Sequence, residues 1–327
     1  MNAGRISISV ILPNYNHAEE LKTSLPAVLA QHLPPDEIII IDDASVDHSI
    51  SVIREFMAAS PVIRLVRHDQ RLGVAAAVNR GLAEARSDFV ILTSADEKIA
   101  PGMTSELAGA IARFPQAELA VSFYSEWFPE TGIVKVHDRG SKSGMWYAQG
   151  DEPFFVTAEQ LQALAGKENV FLHVNTAVFN RKALLDVGGF DPLLRWHSDW
   201  FAIYAIAFRS GFCAVPRSLS FFRMEKDSYS RKGIRDSSRQ EEVMLNIVDK
   251  LNQAKFAYFR SALLRAPAVM SPFLRAMLLA LMKRPLRYPE WLSIWRWWLG
   301  EVVKGRRPGA WATCAGRLRG LFARSSA

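Results

Sequence analysis

Two neighbouring carboxylates, Asp96 and Glu97, follow a short apolar run and come just before Pro101. The run 89–92 is typical of a buried strand, and the proline can occupy the first turn of a following helix. Carboxylates just beyond a parallel strand lie where open α/β sheets bind ligands. A Mg²⁺ or Mn²⁺ ion takes oxygen ligands there and commonly shares them with a substrate diphosphate. The alternative is an acidic turn at a strand end.

Polar groups follow two other apolar runs in the same way. The stretch Pro13-Asn14-Tyr15-Asn16 ends the run 6–12, and Asp42-Asp43 ends the run 37–41. Because the carboxyl ends of parallel strands meet at one edge, we expect the three clusters to share one crevice. The two aspartates have an alternative role, since Asp is favoured as a helix N-cap.

Strand-like runs alternate with helical periodicity four times in about the first 115 residues. This alternation predicts an α/β fold with a doubly wound, mostly parallel sheet and helices on both faces. The stretch 125–149 interrupts it and is interpreted as an irregular or hairpin insertion. The predicted strands are 6–12, 37–41, 62–66, 89–92, 119–123, 169–179 and 219–223, and the predicted helices are 17–31, 46–58, 73–84, 101–113, 155–164, 181–187, 200–210 and 241–259.

The composition is that of a globular protein, with 327 residues, 49% hydrophobic and 22% charged. The two cysteines have no metal-ligand spacing and predict no disulfide framework, which fits a reducing compartment. The first apolar run is too short and too broken for a signal peptide. We therefore expect a cytoplasmic protein.

The charge is unevenly distributed. Residues 255–327 hold 14 Lys or Arg against 2 acids, a balance of +12, so the remaining chain carries −5 of the net +7. This region has no uninterrupted apolar span of about 20 residues, so we expect no transmembrane helix in it. An aromatic and basic cluster predicts peripheral contact with an anionic membrane surface, at the inner face of the membrane. The alternative is a helical tail packed on the domain; nucleic acid is not expected, because no nucleic-acid motif accompanies the cluster. The cluster consists of Arg287, Trp291, Trp295, Arg296, Trp297, Trp298, Lys304, Arg306 and Arg307.

Four stretches, in this order, resemble the family-2 nucleotide-sugar glycosyltransferases of the GT-A fold. They are 8–16 (ISVILPNYN), 38–45 (IIIIDDAS), 79–82 (NRGL) and 188–191 (GGFD). The similarity covers roughly residues 6–232. It implies a nucleotide-sugar-binding half in 1–124, an acceptor-binding half in 125–234 and a basic, aromatic helical tail in 235–327. A glycan or lipid-linked glycan would be the acceptor.

The resemblance implies particular roles for the donor. Pro13, Tyr15 and Asp43 would line the pocket for the base, with Asp43 accepting from a ring N–H, which favours uracil or thymine. Asp96 would ligate a divalent metal, Mg²⁺ or Mn²⁺, that bridges the diphosphate. Further predicted contacts to the donor nucleotide are Asn16, Asn79 and Ser94. For Asn79 the alternative is a helix-surface amide.

Asp199 occupies the position of the catalytic base in this resemblance, and the reaction would be a single displacement with inversion. A carboxylate in reach of the acceptor hydroxyl takes its proton as attack proceeds. The neighbouring side chains Trp196, His197 and Trp200 are the predicted acceptor contacts. The alternative for Asp199 is an acid stabilised by a helix N-terminus.

Two positions depart from the family pattern. Ser94 stands where the metal loop commonly begins with an acid, and Ser198 stands where an acid commonly precedes the base. These serines favour a rival hypothesis, a non-catalytic nucleotide- or glycan-binding relative with a decayed metal loop. A nucleotidyltransferase or a dehydrogenase is disfavoured, since no glycine-rich phosphate loop follows the first strand.

Overall fold

The computed structural model describes residues 5–137, 147–148, 150–224, 233–282, 291, 294–296 and 299. These residues form one ten-stranded sheet with helices on both faces. The strands are β1 (Ile8–Asn14), β2 (Glu37–Asp42), β3 (Ile63–Arg67), β4 (Phe89–Leu92), β5 (Lys98–Ile99), β6 (Leu119–Phe128), β7 (Ile133–Val136), β8 (Phe154–Val156), β9 (Ala177–Asn180) and β10 (Phe212–Arg223). The helices are α1 (Ala18–Leu29), α2 (Ser49–Ala59), α3 (Val74–Glu84), α4 (Met103–Arg113), α5 (Ala158–Ala165), α6 (Arg181–Asp186), α7 (Ser198–Ser210), α8 (Ser237–Leu251), α9 (Ala257–Arg265) and α10 (Leu274–Met282).

The strand order is β3-β2-β1-β4-β9-β6-β10-β5, with β7 paired to β6 and β8 paired to β10. Strands β1, β2, β3, β4, β6 and β10 run in one direction, and β9 lies antiparallel between β4 and β6. The predicted α/β, doubly wound and mostly parallel sheet is therefore confirmed. The loops that follow β1, β2 and β4 leave the same edge of the sheet.

Strand β2 is buried along its whole length. Its isoleucines alternate between two apolar cores, with Ile39 and Ile41 on one face of the sheet and Ile38 and Ile40 on the other. A strand covered on both faces must be apolar throughout. Its first residue, Glu37, is buried because Ser9, Arg64 and the Arg86 amide bond its carboxylate.

Helix α3 lies directly on β1 at Gly81. A Cβ atom built on this glycine would stand 2.3 Å from the Ile11 Cγ2 atom. Real Cβ atoms do not approach so closely, so only glycine lets the helix reach the strand. The glycine of the Asn79-Arg80-Gly81 stretch therefore sets the distance between a helix and the sheet.

Two predicted elements in the middle of the chain are wrong in type or extent. The predicted helix 155–164 begins only at Ala158, after a Thr157–Gln160 capping box, because Phe154–Val156 pairs with β10 as a strand. The predicted strand 169–179 is reduced to Ala177–Asn180, and Val174–Thr176 forms a 3₁₀ turn before it. In both places pairing with a distant strand overrides the local pattern.

The insertion predicted over 125–149 begins as a hairpin. Strand β6 runs on to Phe128, and its last four residues pair with Ile133–Val136. Residues 138–146 and 149 lie outside the described part of the chain.

The predicted helix 241–259 is interrupted. Helix α8 ends at Leu251, Gln253 is extended, and Ala254–Phe256 forms a 3₁₀ turn before α9. The break lets Phe256 and Phe259 both enter the core. Burial of two aromatic side chains outweighs the continuation of a single helix.

Helices α8, α9 and α10 pack on the same core as α7. Trp291 is completely buried there and Trp295 lies partly buried against it, so Trp291 is a core residue and its predicted place in a membrane-facing cluster is wrong. The cluster residues Arg287, Trp297, Trp298, Lys304, Arg306 and Arg307 lie outside the described residues. In the described part of the chain, no helix has the length and hydropathy needed to span a bilayer.

We expect Gly81→Ala to lower the free energy of unfolding by about 1–3 kcal/mol, because the added methyl group overlaps Ile11. Urea unfolding followed by circular dichroism measures this change. Gly109→Ala is the matched control, since Gly109 is exposed in α4 with open space around it and should gain about 0.5–1 kcal/mol. Equal unfolding midpoints for Gly81→Ala and the parent would contradict the close packing of α3 on β1.

Candidate active site

Asp43, at the end of β2, holds the loop that follows β3. Its Oδ1 accepts from the His68 ring Nδ1 and from the Leu72 amide, both at 2.8 Å, and its Oδ2 accepts from the Gly73 amide at 2.7 Å. Burial opposes ionisation of Asp43, but these hydrogen bonds lower its pKa below the usual value. A carboxylate has about four acceptor positions, so one position on Oδ2 is left for a ligand.

The loops after β1 and β2 are bonded to each other. Asp42 accepts from Asn14 Nδ2 at 2.9 Å and from the Ser45 amide at 3.0 Å, and Asn16 Oδ1 accepts from the Val46 amide at 2.9 Å. Asn16, a predicted contact to the donor, thus uses its carbonyl oxygen to join these two loops.

Asp47 is the acid that bonds the helix ends. It accepts from Ala18 and Ser49, both at 3.0 Å, at the starts of α1 and α2. Among the described contacts, Asp42 and Asp43 bond no amide at the start of α2, so they do not cap the helix that follows them.

Tyr15 lies next to this junction, and the Arg71 guanidinium sits 4.0 Å from the centroid of its ring. Arg71 belongs to the loop that Asp43 holds, so the ring, the carboxylate and the cation are brought together from three loops. Pro13 lies partly buried at the end of β1. Sequence reasoning missed Arg71, since nothing in its neighbourhood distinguishes it from the other basic residues of that loop.

Asn79 bonds the backbone of a loop that is distant in sequence. Its Nδ2 donates to the Phe190 carbonyl at 2.7 Å, and its Oδ1 accepts from the Phe190 amide at 2.8 Å. The side chain thus replaces a pair of backbone hydrogen bonds and fixes the loop that begins with Gly188-Gly189 on α3. These are the contacts that the structure gives Asn79, and its contact with the donor nucleotide stays a prediction.

The loop after β4 carries Asp96 and Glu97, and Asn175 Nδ2 donates a hydrogen bond to the Glu97 carboxyl. Burial, followed by the neighbouring charge of Asp96, raises the pKa of Glu97 to about 8, and the charge of Asp199 adds to this. The Ser94 hydroxyl hydrogen-bonds the same carboxyl group and favours its charged form. The structure therefore brings Asp96 and Glu97 close to Asp199. Glu97 and Asp199 are 102 residues apart in the sequence.

Asp199 is in the first turn of α7, where its Oδ1 accepts from the Trp200 amide at 2.6 Å. Burial raises the pKa of Asp199 to about 6, although this hydrogen bond opposes the shift. Asp199 lies both at the N-terminus of α7 and near Glu97. A helix-terminal acid and a base in the acidic site are therefore compatible interpretations of this residue.

The three predicted acceptor contacts bond the C-terminal helices instead. Gln240 accepts from the Trp196 indole at 2.7 Å and lies 3.0 Å from the His197 ring, and the Trp200 indole donates to the Val269 carbonyl at 3.3 Å. Burial lowers the pKa of His197 to about 4, so the ring is neutral. The polar atoms of these three side chains therefore bond within the protein, and their contact with an acceptor stays a prediction.

A stack of aromatic rings lies beside Asn175 and was not predicted. His173 and Phe222 have ring centroids 4.3 Å apart, and Tyr124 lies 4.5 Å from Phe222 on the other side. Burial lowers the pKa of His173 to about 4, so this ring is neutral at pH 7. The rings come from β6, β10 and the segment before β9, which no short motif could reveal.

The acidic site fits a metal ion that is shared with a substrate. No group of three His, Cys, Asp or Glu side chains with metal-binding geometry occurs among the described residues. Asp96 is partly exposed and lines a polar pocket of about 180 Å³ together with Glu20, Lys98 and Arg223. Mg²⁺ keeps several waters and is commonly held by one or two carboxylates plus substrate phosphates, so this donor set suits it.

Comparisons with known proteins identify what the chain is similar to. The model of glycosyl transferase family 2 matches residues 9–188, more than half of the chain. A poly-β-1,6-N-acetyl-D-glucosamine synthase of Staphylococcus epidermidis is 28% identical over 184 residues, which cover 56% of this chain and 42% of the synthase.

Two solved structures share the fold. TarS of S. aureus in complex with UDP has a TM-score of 0.58 and 15% identity, over 82% of this chain and 72% of that one. The mannosyltransferase PcManGT of Pyrobaculum calidifontis, in complex with GDP-Man and Mn²⁺, has a TM-score of 0.53 and 20% identity. The match covers 89% of this chain and 85% of that one.

We expect Asn79→Ala to lower the free energy of unfolding by about 2 kcal/mol or more, because the Phe190 amide and carbonyl lose their partners. UDP affinity, measured by calorimetry, should stay within about twofold of the parent value, about 0.4 kcal/mol. Arg80→Ala, next to it and exposed, is the control and should change stability by less than about 0.5 kcal/mol. A stable Asn79→Ala variant with a tenfold loss of UDP affinity would restore the nucleotide contact.

Proposed function

This chain belongs to glycosyl transferase family 2, and from that membership we propose that it transfers a sugar, with inversion, from a UDP- or dTDP-sugar to a hydroxyl group of a glycan or lipid-linked glycan. The observation that carries the proposal is the arrangement of one edge of the sheet. Tyr15 and Asp43 lie in the loops after β1 and β2, and Asp96 and Glu97 lie in the loop after β4, with Asp199 close enough to Glu97 to affect its pKa. A nucleotide-sugar would bind with its base at the first two loops and its reacting carbon near the acids.

The base would bind between Tyr15 and the loop held by Asp43. The position left on Asp43 Oδ2 suits the single ring N–H of uracil or thymine, which donates one hydrogen bond. Two protein hydrogen bonds on Oδ1 keep the carboxylate ionised and oriented, so it needs no rearrangement to accept. The UDP complex of TarS, a protein of the same fold, supports a uridine donor.

Asp96 would hold the divalent metal, Mg²⁺ or Mn²⁺. When bound, the ion supplies positive charge to the leaving diphosphate as a Lewis acid. Ser94 stands where the family commonly has an acid in this loop. Its hydroxyl hydrogen-bonds the Glu97 carboxyl and adds no negative charge. The Mn²⁺ complex of PcManGT supports a metal in this fold.

Asp199 would take the proton of the acceptor hydroxyl. Its raised pKa of about 6 makes it a stronger base than an exposed aspartate, and it still leaves the group mostly ionised at neutral pH. The similarity to a polysaccharide synthase supports a glycan acceptor. The +12 balance of residues 255–327 supports contact with an anionic membrane surface, where a lipid-linked acceptor would be found.

We expect Asp199→Asn to lower turnover by about 10²–10⁴-fold, because the variant has no base for the acceptor proton. Affinity for UDP, measured by calorimetry, should stay within about twofold. Asp186→Asn is the control, since Asp186 is an exposed acid paired only with Lys182. Transfer by Asp199→Asn at the parent rate would remove the base assignment.

The rate of the parent enzyme should rise with pH through about 6. The folded pKa of Asp199 is raised, so the carboxyl group is protonated and inactive as a base below that pH and ionised above it. Initial rates between about pH 5 and about pH 8 measure this limb. A flat profile across the range would contradict Asp199 as the titrating base.

We expect Asp96→Asn to weaken Mn²⁺-dependent binding of UDP by about tenfold or more, which is about 1.4 kcal/mol. Titration of UDP with Mn²⁺ and with a chelator measures the difference. Asp88→Asn, an exposed acid just before β4, should keep the parent values. The same UDP affinity with and without Mn²⁺ in the parent protein would remove the metal from the site.

A further inference from the structure

The segment 191–198, which leads into α7 and Asp199, has a strained backbone. Arg195 has φ 47° and ψ −120°, in a region that side-chain-bearing residues seldom adopt. The Ser198 hydroxyl donates to the Arg195 carbonyl at 2.7 Å across this turn. Such a conformation costs about 1–3 kcal/mol and persists only where surrounding contacts hold it.

Gln240, in the first turns of α8, bonds two side chains of this segment at once. The Trp196 indole is only a donor, so the group that faces it at 2.7 Å must be Gln240 Oε1. Gln240 Nε2 therefore faces the His197 ring and donates to its Nε2 at 3.0 Å. This places the proton of the neutral imidazole on Nδ1. Gln240 is 4% exposed, so water does not replace it.

Other contacts join the same segment to the C-terminal helices. Lys250 donates to Asp191 at 2.6 Å from a buried position, and Asn246 donates to the Leu193 carbonyl at 3.1 Å. Beyond Asp199, the Trp200 indole donates to Val269 at 3.3 Å. Asp199 thus lies between residues that are bonded on both sides to helices outside the matched family region 9–188.

We propose that Gln240 is a positioning residue, which orients Asp199 for proton transfer by holding Trp196 and His197 in the strained turn before it. This inference rests on the proposed function, in which Asp199 is the base. The side chain of Gln240 acts through the two rings and does not touch substrate. The C-terminal helices thereby complete a site whose donor half belongs to the family region.

The test compares Gln240→Leu with the parent chain by two readouts. Hydrogen exchange followed by mass spectrometry should show amides of 191–200 exchanging about tenfold faster or more in the variant, with β1 and β2 unchanged. Turnover of the best donor among UDP-GlcNAc, UDP-galactose and dTDP-glucose should fall about tenfold to about 10²-fold, with the donor KM within about twofold. Gln253→Leu is the matched control, an exposed glutamine of the same helical region, and should keep both parent values.

Gln240→Glu is the conservative variant. Its carboxylate still accepts from the Trp196 indole. If the His197 proton moves to Nε2, the carboxylate accepts from that ring as well, so turnover should return to within about threefold of the parent. If Gln240→Leu does not fold, Asn246→Ala serves in its place, since it removes only the bond to Leu193, and should raise exchange in 191–200 and lower turnover at constant KM by about twofold.

Parent-like exchange in 191–200, or faster exchange with unchanged turnover, would overturn the positioning role. A Gln240→Glu variant as slow as Gln240→Leu would overturn it as well. A parent chain that turns over none of the donors counts against the proposed function alone, because the exchange readout still reports whether Gln240 holds the segment.

Discussion

The free energy of burying a carboxylate governs this site. An ionised acid taken out of water needs hydrogen bonds or a countercharge, and the balance between its burial and such partners decides the direction of its pKa shift. Asp43 has two amides and an imidazole, and its pKa falls below the usual value. Asp199 has one amide within its own helix turn, and its pKa rises. The structure thus holds one acid whose charged form is favoured and another whose protonated form is favoured.

The acidic loop after β4 is a compromise between charges. Burial, followed by the charges of Asp96 and Asp199, raises the pKa of Glu97, and Asn175 and Ser94 oppose this by hydrogen bonding its carboxyl group. An acid in place of Ser94 would bring a further negative charge to the same place. Ser198, the second departure from the family pattern, bonds the carbonyl of the strained Arg195. Ser94 and Ser198 therefore each hydrogen-bond a neighbouring group at the position where the family commonly has an acid.

The C-terminal helices belong to the site through contacts rather than through proximity in sequence. The aromatic side chains that flank Asp199 contact this C-terminal region, since their polar atoms bond Gln240 and Val269 and the Trp200 ring packs on Phe259 and Phe273. The rings of His173 and Phe222, beside Asn175, are partly exposed and lie on the Glu97 side of the site.

Local pattern was sufficient for the first half of the chain. Isoleucine runs such as 38–41 can only be strands covered on both faces, so the parallel sheet, its helices and the edge that carries Asp43 and Asp96 follow from period and burial. The sequence by itself therefore determined the fold class and the family, and it predicted that Asp43 and Asp96 follow strands that end at one edge of the sheet. Only the tertiary structure decided what the polar atoms of Asn79, Trp196, His197 and Trp200 bond, since their partners lie 43 to 111 residues away and side-chain hydrogen bonds leave no period in a sequence.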